Sequence, residues 1–227
     1  MQGSVDRVRV LGSPHIGTYM VVTDSLALVP RGTDSELRRK IKEVLSVEDI
    51  VETSIAGTAL IGIFAVASGK KVVVPSIVKE EEVEEMRSLG LSVDVVDTSN
   101  FNALGNVVLH NSRVAIFHPE LDKEVATQIA TALSLRTYTH SPVAGIPTVG
   151  SAAVVTDRGG LVHPNANEEE LKRLSELFGV ELDVGTVNFG IGFIKSGLVA
   201  NNYGVLVGEL TTGPEIVRVM KAFKVGG

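Results

Sequence analysis

The sequence predicts an α/β chain closed into a five-fold ring, an α/β propeller with inner strands and outer helices. Three observations predict it. Apolar runs end at one kind of mark five times, in "LALVP" at Pro30, "KVVVP" at Pro75, "AIFHP" at Pro119, "GLVHP" at Pro164 and "GVLVG" at Gly208, with intervals of 45, 44, 45 and 44 residues. An apolar residue followed by Gly stands ahead of each mark: Ile16-Gly17, Ile61-Gly62, Leu104-Gly105, Val149-Gly150 and Ile191-Gly192. Behind each mark the apolar period changes from two to about 3.6, the change from strand to helix.

The repeats divide the 227 residues into five units, about 1–46, 47–91, 92–135, 136–180 and 181–227, read as one domain. Each unit begins with a short apolar run and a turn: "TDS" from Thr23, "SGK" from Ser68, "HNS" from His110, "TDRGG" from Thr156 and "NNYG" from Asn201. Gly, Asn and Asp tolerate the positive φ of tight turns, so run, turn and marked strand form a β-hairpin. A helix follows in every unit. Its apolar stripe is Leu37, Ile41, Val44 and Leu45 in the first, then Val83, Met86 and Leu89, Val125, Ile129 and Leu133, Leu171, Leu174 and Phe178, and finally Ile216, Met220 and Phe223. Capping-box spacing marks three starts, Thr33 to Glu36, Asn167 to Glu170 and Thr212 to Glu215. An extended segment closes each unit, "DIVETS", "SVDVVDT", "RTYTH" and "ELDVGTV", and "RVRVLGS" near the N-terminus plays the same part.

A helix in every unit argues against an all-β propeller with four strands per blade. A linear solenoid needs polar caps. The first and last units here are as apolar as the middle ones, so the ring closes.

Composition narrows the chemistry. Hydrophobic residues make up 44% and charged residues 21%, the balance of a globular protein. The formal net charge of -6 disfavours direct grip on nucleic acid and favours a basic protein partner. The absence of cysteine removes disulfides, thiolate nucleophiles and cysteine metal sites. No signal-peptide core and no membrane-length apolar run occur, so the cytoplasm is the expected compartment.

Catalytic templates are not completed. "GFIKSG" and "GIGF" fall short of a dinucleotide loop, and Ile63 stands where a phosphate loop after Gly57 and Gly62 needs lysine. The carboxylates of "KEEEVEE" read as a solvated helix face. His118 and His163 hold equivalent strand ends, but Val29, Val74 and Val207 fill the other three, which reads as packing rather than a metal site. No metal and no cofactor is expected. "NFNALGN" places Asn100, Asn102 and Asn106 around an apolar-Gly pair, either as turn residues or as a polar contact patch.

With these repeats the chain resembles the translation initiation factor 6 family in its archaeal form. "SIAGTALIG", "NALGNVVLHN", "HPELD", "GGLVHP", "GTVNFG" and "TTGPE" carry the resemblance in order through units two to five. The resemblance implies the pentein fold and a function without catalysis, in which the factor binds the large ribosomal subunit and blocks docking of the small one. It implies contact with a ribosomal protein near ribosomal RNA, made by a monomer. Asn106 matches a family position on the ribosome-facing end, with Asn102 beside it. By pseudosymmetry Thr18, Ile63, Ser151 and Lys195 are expected on the same end, Ile63 departing from the basic residue of some relatives. Two alternatives stand beside this reading. Other pentein proteins modify guanidino groups with a cysteine nucleophile, which this chain lacks, and the same fold could serve as a scaffold for a non-ribosomal partner.

Overall fold

A computed structural model describes residues 3–226. Among them the chain forms five three-stranded sheets. In the first, Leu26–Pro30 lies between Val21–Val22, antiparallel, and Asp49–Thr53, parallel, with Leu28 opposite both Val21 and Val51. Lys71–Pro75 takes the same central place between Val66–Ser68 and Ser92–Val96. Val114–Phe117 lies between Val108–His110 and Thr137–His140, and Gly160–Val162 between Ala153–Val155 and Leu182–Val184. The fifth sheet centres on Gly204–Gly208, with Leu198–Ala200 on one side. Its other edge is Ser4–Val8 from the opposite end of the chain, pairing in parallel from Ser4 opposite Gly204 to Val8 opposite Gly208. The N-terminal segment therefore completes the last blade, but its strand lies mostly ahead of the expected "RVRVLGS" and shares only Arg7 and Val8 with it, the rest forming the turn bridged by Val10 and Ser13.

The central strands read as unbroken apolar runs because both of their faces are covered. All five residues of Leu26–Pro30 and of Gly204–Gly208 are buried. On one side lie the outer helices Ser35–Leu45, Glu80–Ser88, Lys123–Ala132, Glu168–Phe178 and Gly213–Phe223. On the other, each blade leans on its neighbour. Leu26 and Leu28 of the first unit pack with Val74, Val83 and Met86 of the second. Val66 and Val73 join Phe117 and Ile129, Leu109 and Ile116 join Leu174 and Phe178, and Leu161 joins Val207, Val219 and Phe223. Val199 and Leu206 of the fifth unit then pack with Ile41 and Leu45 of the first, which closes the cycle.

Several helix details differ from the sequence pattern. The first helix is capped by Asp34, which accepts from Leu37 N at 2.8 Å, while Thr33 Oγ1 donates to Pro30 O at 2.6 Å. Thr33 to Glu36 is thus not a capping box; Asp34 is one residue closer to the first turn. Asn167 caps Glu170 N at 2.9 Å, but the Glu170 carboxylate reaches Ala144 N at 2.8 Å instead of returning to the cap. Only the third candidate closes both ways, through Thr212 N to Glu215 Oε2 at 2.7 Å and Glu215 N to Thr212 Oγ1 at 3.5 Å. Leu89 lies just past its helix and is 54% exposed, and Leu91 takes the buried place. In the last helix the buried stripe is Val219, Ala222 and Phe223, with Ile216 only packed against it.

Glu82, Glu170 and Glu215 share a second task. Each pins the turn that precedes its own blade. Glu82 accepts from Ala56 N and Gly57 N, both at 2.8 Å, and from Ser54 Oγ at 2.6 Å. Ala56 and Gly57 have φ of 53° and 71°, a left-handed pair that exposes its amides to the carboxylate. Glu215 does the same for Phe189 N at 3.2 Å and Gly190 N at 2.8 Å, and also accepts from Thr186 Oγ1 at 2.7 Å. Burial works against the charge of Glu215, but these hydrogen bonds outweigh it and hold its carboxyl at about 2. A depressed folded value means stability that is present above the unfolded value of about 4.3 and lost as pH falls toward 2. Glu215→Gln is therefore expected to lower the melting temperature at pH 7 and to flatten its decline between about pH 4.5 and 2, as read by thermal denaturation across that range.

Candidate interaction face and central channel

One short helix precedes each inner strand: Ile16–Tyr19, Ile61–Phe64, Leu104–Val107, Val149–Ala152 and the 3-10 turn Ile194–Gly197. Each packs against the next, and the last returns to the first. Their equivalence is fixed by one recurring bond, in which Thr18 N, Ile63 N, Asn106 N, Ser151 N and Ser196 N donate to the carbonyls of His15, Leu60, Ala103, Thr148 and Phe193. These five short elements close one end of the ring.

Glycine permits this packing, because each helix backbone sits on the carbonyl of its neighbour. A Cβ on Gly62 would lie 1.9 Å from Gly17 O, one on Gly105 1.9 Å from Gly62 O, and one on Gly150 2.3 Å from Gly105 O. A Cβ on Gly17 would lie 1.7 Å from Lys195 O, completing the circuit. The fifth member of the series is therefore Ile194-Lys195 and not Ile191-Gly192. The loop from Val187 to Ile191 closes with one residue more than Val10 to Ser13 or Ile55 to Thr58, and its Ile-Gly imitates the motif three residues early.

This frame places the expected site residues. Thr18, Ile63, Asn106 and Ser151 come together as half-buried residues on the closed end, with Ser196 as the fifth. Ser151 Oγ and Ser196 Oγ donate to carbonyls of their own caps, at 2.6 and 2.8 Å. Asn102 is tied down as well, its Oδ1 accepting from Thr98 Oγ1 at 3.2 Å. The Asn106 amide enters no side-chain hydrogen bond among the described residues and stays available at the surface. Lys195 does not lie on this face. It occupies the glycine position, and its side chain turns into the ring.

There it meets a central channel, a cavity of about 250 Å³ lined by all five inner strands, with Gly150 and Lys195 at its floor. Lys195 Nζ donates to Gly105 O at 2.6 Å, and burial brings the amine down to about 7. His110 also lines the cavity. Burial lowers its pKa too, and its Nδ1–H donates to Asn111 O at 3.0 Å. The far mouth is rimmed by the hairpin turns. Asp157 N donates to Asn202 Oδ1 at 3.0 Å, and Asn202 N and Nδ2 donate to Asp24 at 2.9 and 2.7 Å. Beneath that rim Thr23, Asn111, Thr156 and Asn201 are buried and cap the amides of their own turns.

The two histidines at strand ends serve the backbone. His118 Nδ1 accepts from Glu120 N and His163 Nδ1 from Asn165 N, both at 3.1 Å, while their rings pack on Phe101 and Phe193. That arrangement is strand-end packing with a cap on the following turn, the part their repeat positions predict.

The five-fold ring of sheet-and-helix blades around a closed channel defines a pentein. A solved relative in fold is the N-terminal domain of ArgZ, an arginine dihydrolase from cyanobacteria, with a TM-score of 0.50 and 11% identity, covering 75% of this chain and 68% of that one. A profile of the eIF-6 family matches residues 5–222, and the chain belongs to that family. Its relatives include Translation initiation factor 6 of Sulfolobus acidocaldarius, 41% identical over 221 residues, which are 96% of this chain and 98% of that one. The Staphylothermus marinus protein of the same name is 39% identical over 224 residues, with 97% of each chain covered. That of Pyrococcus abyssi is 38% identical over 223 residues, 96% of this chain and 97% of the other.

Proposed function

We propose that the five repeats act as one rigid domain that binds the large ribosomal subunit through the closed end of the ring and blocks association of the small subunit. Membership of the eIF-6 family makes the chain a translation initiation factor, and the free Asn106 amide carries the choice of face. An amide that caps no turn keeps its hydrogen-bonding capacity for a partner. Thr18, Ile63 and Ser151 surround the same end, Asn102 supports it, and Lys195 backs it from inside. The net charge of -6 favours a basic ribosomal protein as the principal contact, with ribosomal RNA nearby. The mechanism is steric exclusion by a monomer in the cytoplasm, and needs no cofactor. The dihydrolase chemistry of the fold relative is not proposed here, since a cysteine nucleophile is missing from the sequence.

Sedimentation with separated subunits tests this reading. The protein is expected to travel with the large subunit alone and to keep added small subunits from joining it. Migration with neither subunit would overturn the proposal. Asn106→Ser is expected to weaken large-subunit binding about tenfold, roughly 1.4 kcal/mol, because the shorter hydroxyl cannot span the same contact. Its melting temperature should stay within about 2 °C of the parent, as befits a half-buried position where the replaced side chain makes no internal hydrogen bond. A large drop in stability would instead make Asn106 a turn residue.

A further inference from the structure

We propose that Lys195 is a reactive amine and that the channel admits small uncharged aldehydes, which it binds covalently as an imine. The geometry begins with the broken repeat. Four of the five ring positions are glycine, and the fifth sends a four-carbon stem into the cavity that the other four leave open. Its nitrogen has one protein partner, Gly105 O at 2.6 Å, which holds one N–H against the wall. The lone pair of the neutral amine is not used in that bond, and the cavity that Lys195 lines gives a carbonyl carbon room to approach.

The electrostatic setting agrees. Burial alone sets the charge of Lys195, no carboxylate offsetting it, and the amine at about 7 is roughly half unprotonated in neutral solution. An ordinary lysine near 10.4 is unprotonated to about one part in 2,500 there. The cavity volume corresponds to roughly eight waters, enough for an aldehyde of a few carbons. Asp24 and Asp157 put two carboxylates at the mouth, the second 3.8 Å from Arg113 Nε, and the remaining negative charge disfavours an anion relative to a neutral molecule. His110, neutral and with Nδ1–H committed to Asn111 O, presents Nε2 as a proton acceptor among the lining groups.

The chemistry balances without a redox partner. The amine lone pair attacks the aldehyde carbon, the carbonyl π electrons move to oxygen, and a proton passes from nitrogen to that oxygen to give the carbinolamine. Loss of water then leaves the imine, so amine and aldehyde become imine and water.

The test uses the intact native protein with propanal and cyanoborohydride at pH 7, followed by peptide mass spectrometry of short time points. Cyanoborohydride delivers a hydride that converts the imine into a stable secondary amine. Lys195 is expected to be alkylated at least tenfold faster than the exposed Lys172 and Lys221, and faster by propanal than by the anionic glyoxylate. Lys195→Met is expected to lose the fast adduct and keep the slow ones. If that variant fails to fold, the parent protein still decides, because site rates and the two aldehydes are compared within one chain. Lys195 staying unmodified until urea is added, or reacting no faster than the exposed lysines, would overturn the proposal.

Discussion

Gly62→Ala is expected to destabilise the protein by about 3 kcal/mol, near the upper end for overpacking a tight site. For a chain of this size that corresponds to a melting temperature lower by roughly 6–12 °C. The new Cβ would meet Gly17 O at 1.9 Å and Met20 O at 2.7 Å, backbone atoms of the adjoining short helix and of the residue that caps it. A flexible side chain could swing away; a carbonyl within a packed helix can move only if the helix does. Displacing that helix disturbs its contacts with both neighbours in the ring. Gly213→Ala is the control, because nothing beyond its chain neighbours lies within 4 Å of its Cβ position at the exposed start of a helix. It should cost no more than about 1 kcal/mol, the gain in helix propensity being offset by the contact of a Cβ with the Pro214 ring. Matching melting temperatures for the two variants would mean that the ring end is more loosely built than its carbonyl contacts indicate.

Asn201→Ala should produce an effect of similar size at the opposite end. This side chain is 5% exposed and joins the last unit to the first. Its Nδ2 donates to Thr23 O at 3.0 Å and Leu45 O at 2.7 Å, and its Oδ1 accepts from Tyr203 N at 2.9 Å and Gly204 N at 3.1 Å. Alanine leaves two buried carbonyls and two amides without their partner, for about 2–4 kcal/mol in total. The expected fall in melting temperature is roughly 4–16 °C. Asn202→Ala removes the Nδ2 bond to Asp24 and the acceptor for Asp157 N at the rim of the mouth, while the Asn202 N–H keeps its bond to Asp24, and should cost about 1 kcal/mol. Equal losses in the two variants would contradict the assignment of the closure to the buried amide.

The repeat was legible because period and turn chemistry are local properties, and five copies reinforce each other. The hairpins, outer helices and returning N-terminal strand all follow from it. What escaped were details set by one residue more or less. The loop from Val187 to Ile191 is one residue longer, so "IG" at 191 stands close to where an apolar-Gly pair is expected. Strict spacing corrects this from sequence alone, since Lys195 lies 45 residues after Gly150, as Gly62 lies 45 after Gly17. Leu89 was placed in the core by its helical spacing, yet the helix stops at Ser88 and the Gly90 turn turns it outward. The second use of Glu82, Glu170 and Glu215 on the preceding turns depends on tertiary distance, which no spacing rule supplies. The same holds for the inward course of Lys195: a lysine reads as a surface residue until the ring shows which way its Cβ points.

The pairing of Ser4–Val8 with Gly204–Gly208 also has a consequence in time. During synthesis at about 5–20 residues per second, the first of these strands waits roughly 10–40 seconds for its partner to be made. Through that interval the growing chain is an open arc with an unmated edge at each end, the kind of edge that pairs with other chains when left uncovered. Completion of the fifth blade is then a checkpoint on chain synthesis itself: a truncated product presents an unsealed arc, and only a chain translated through its last central strand can assemble the full five-residue end.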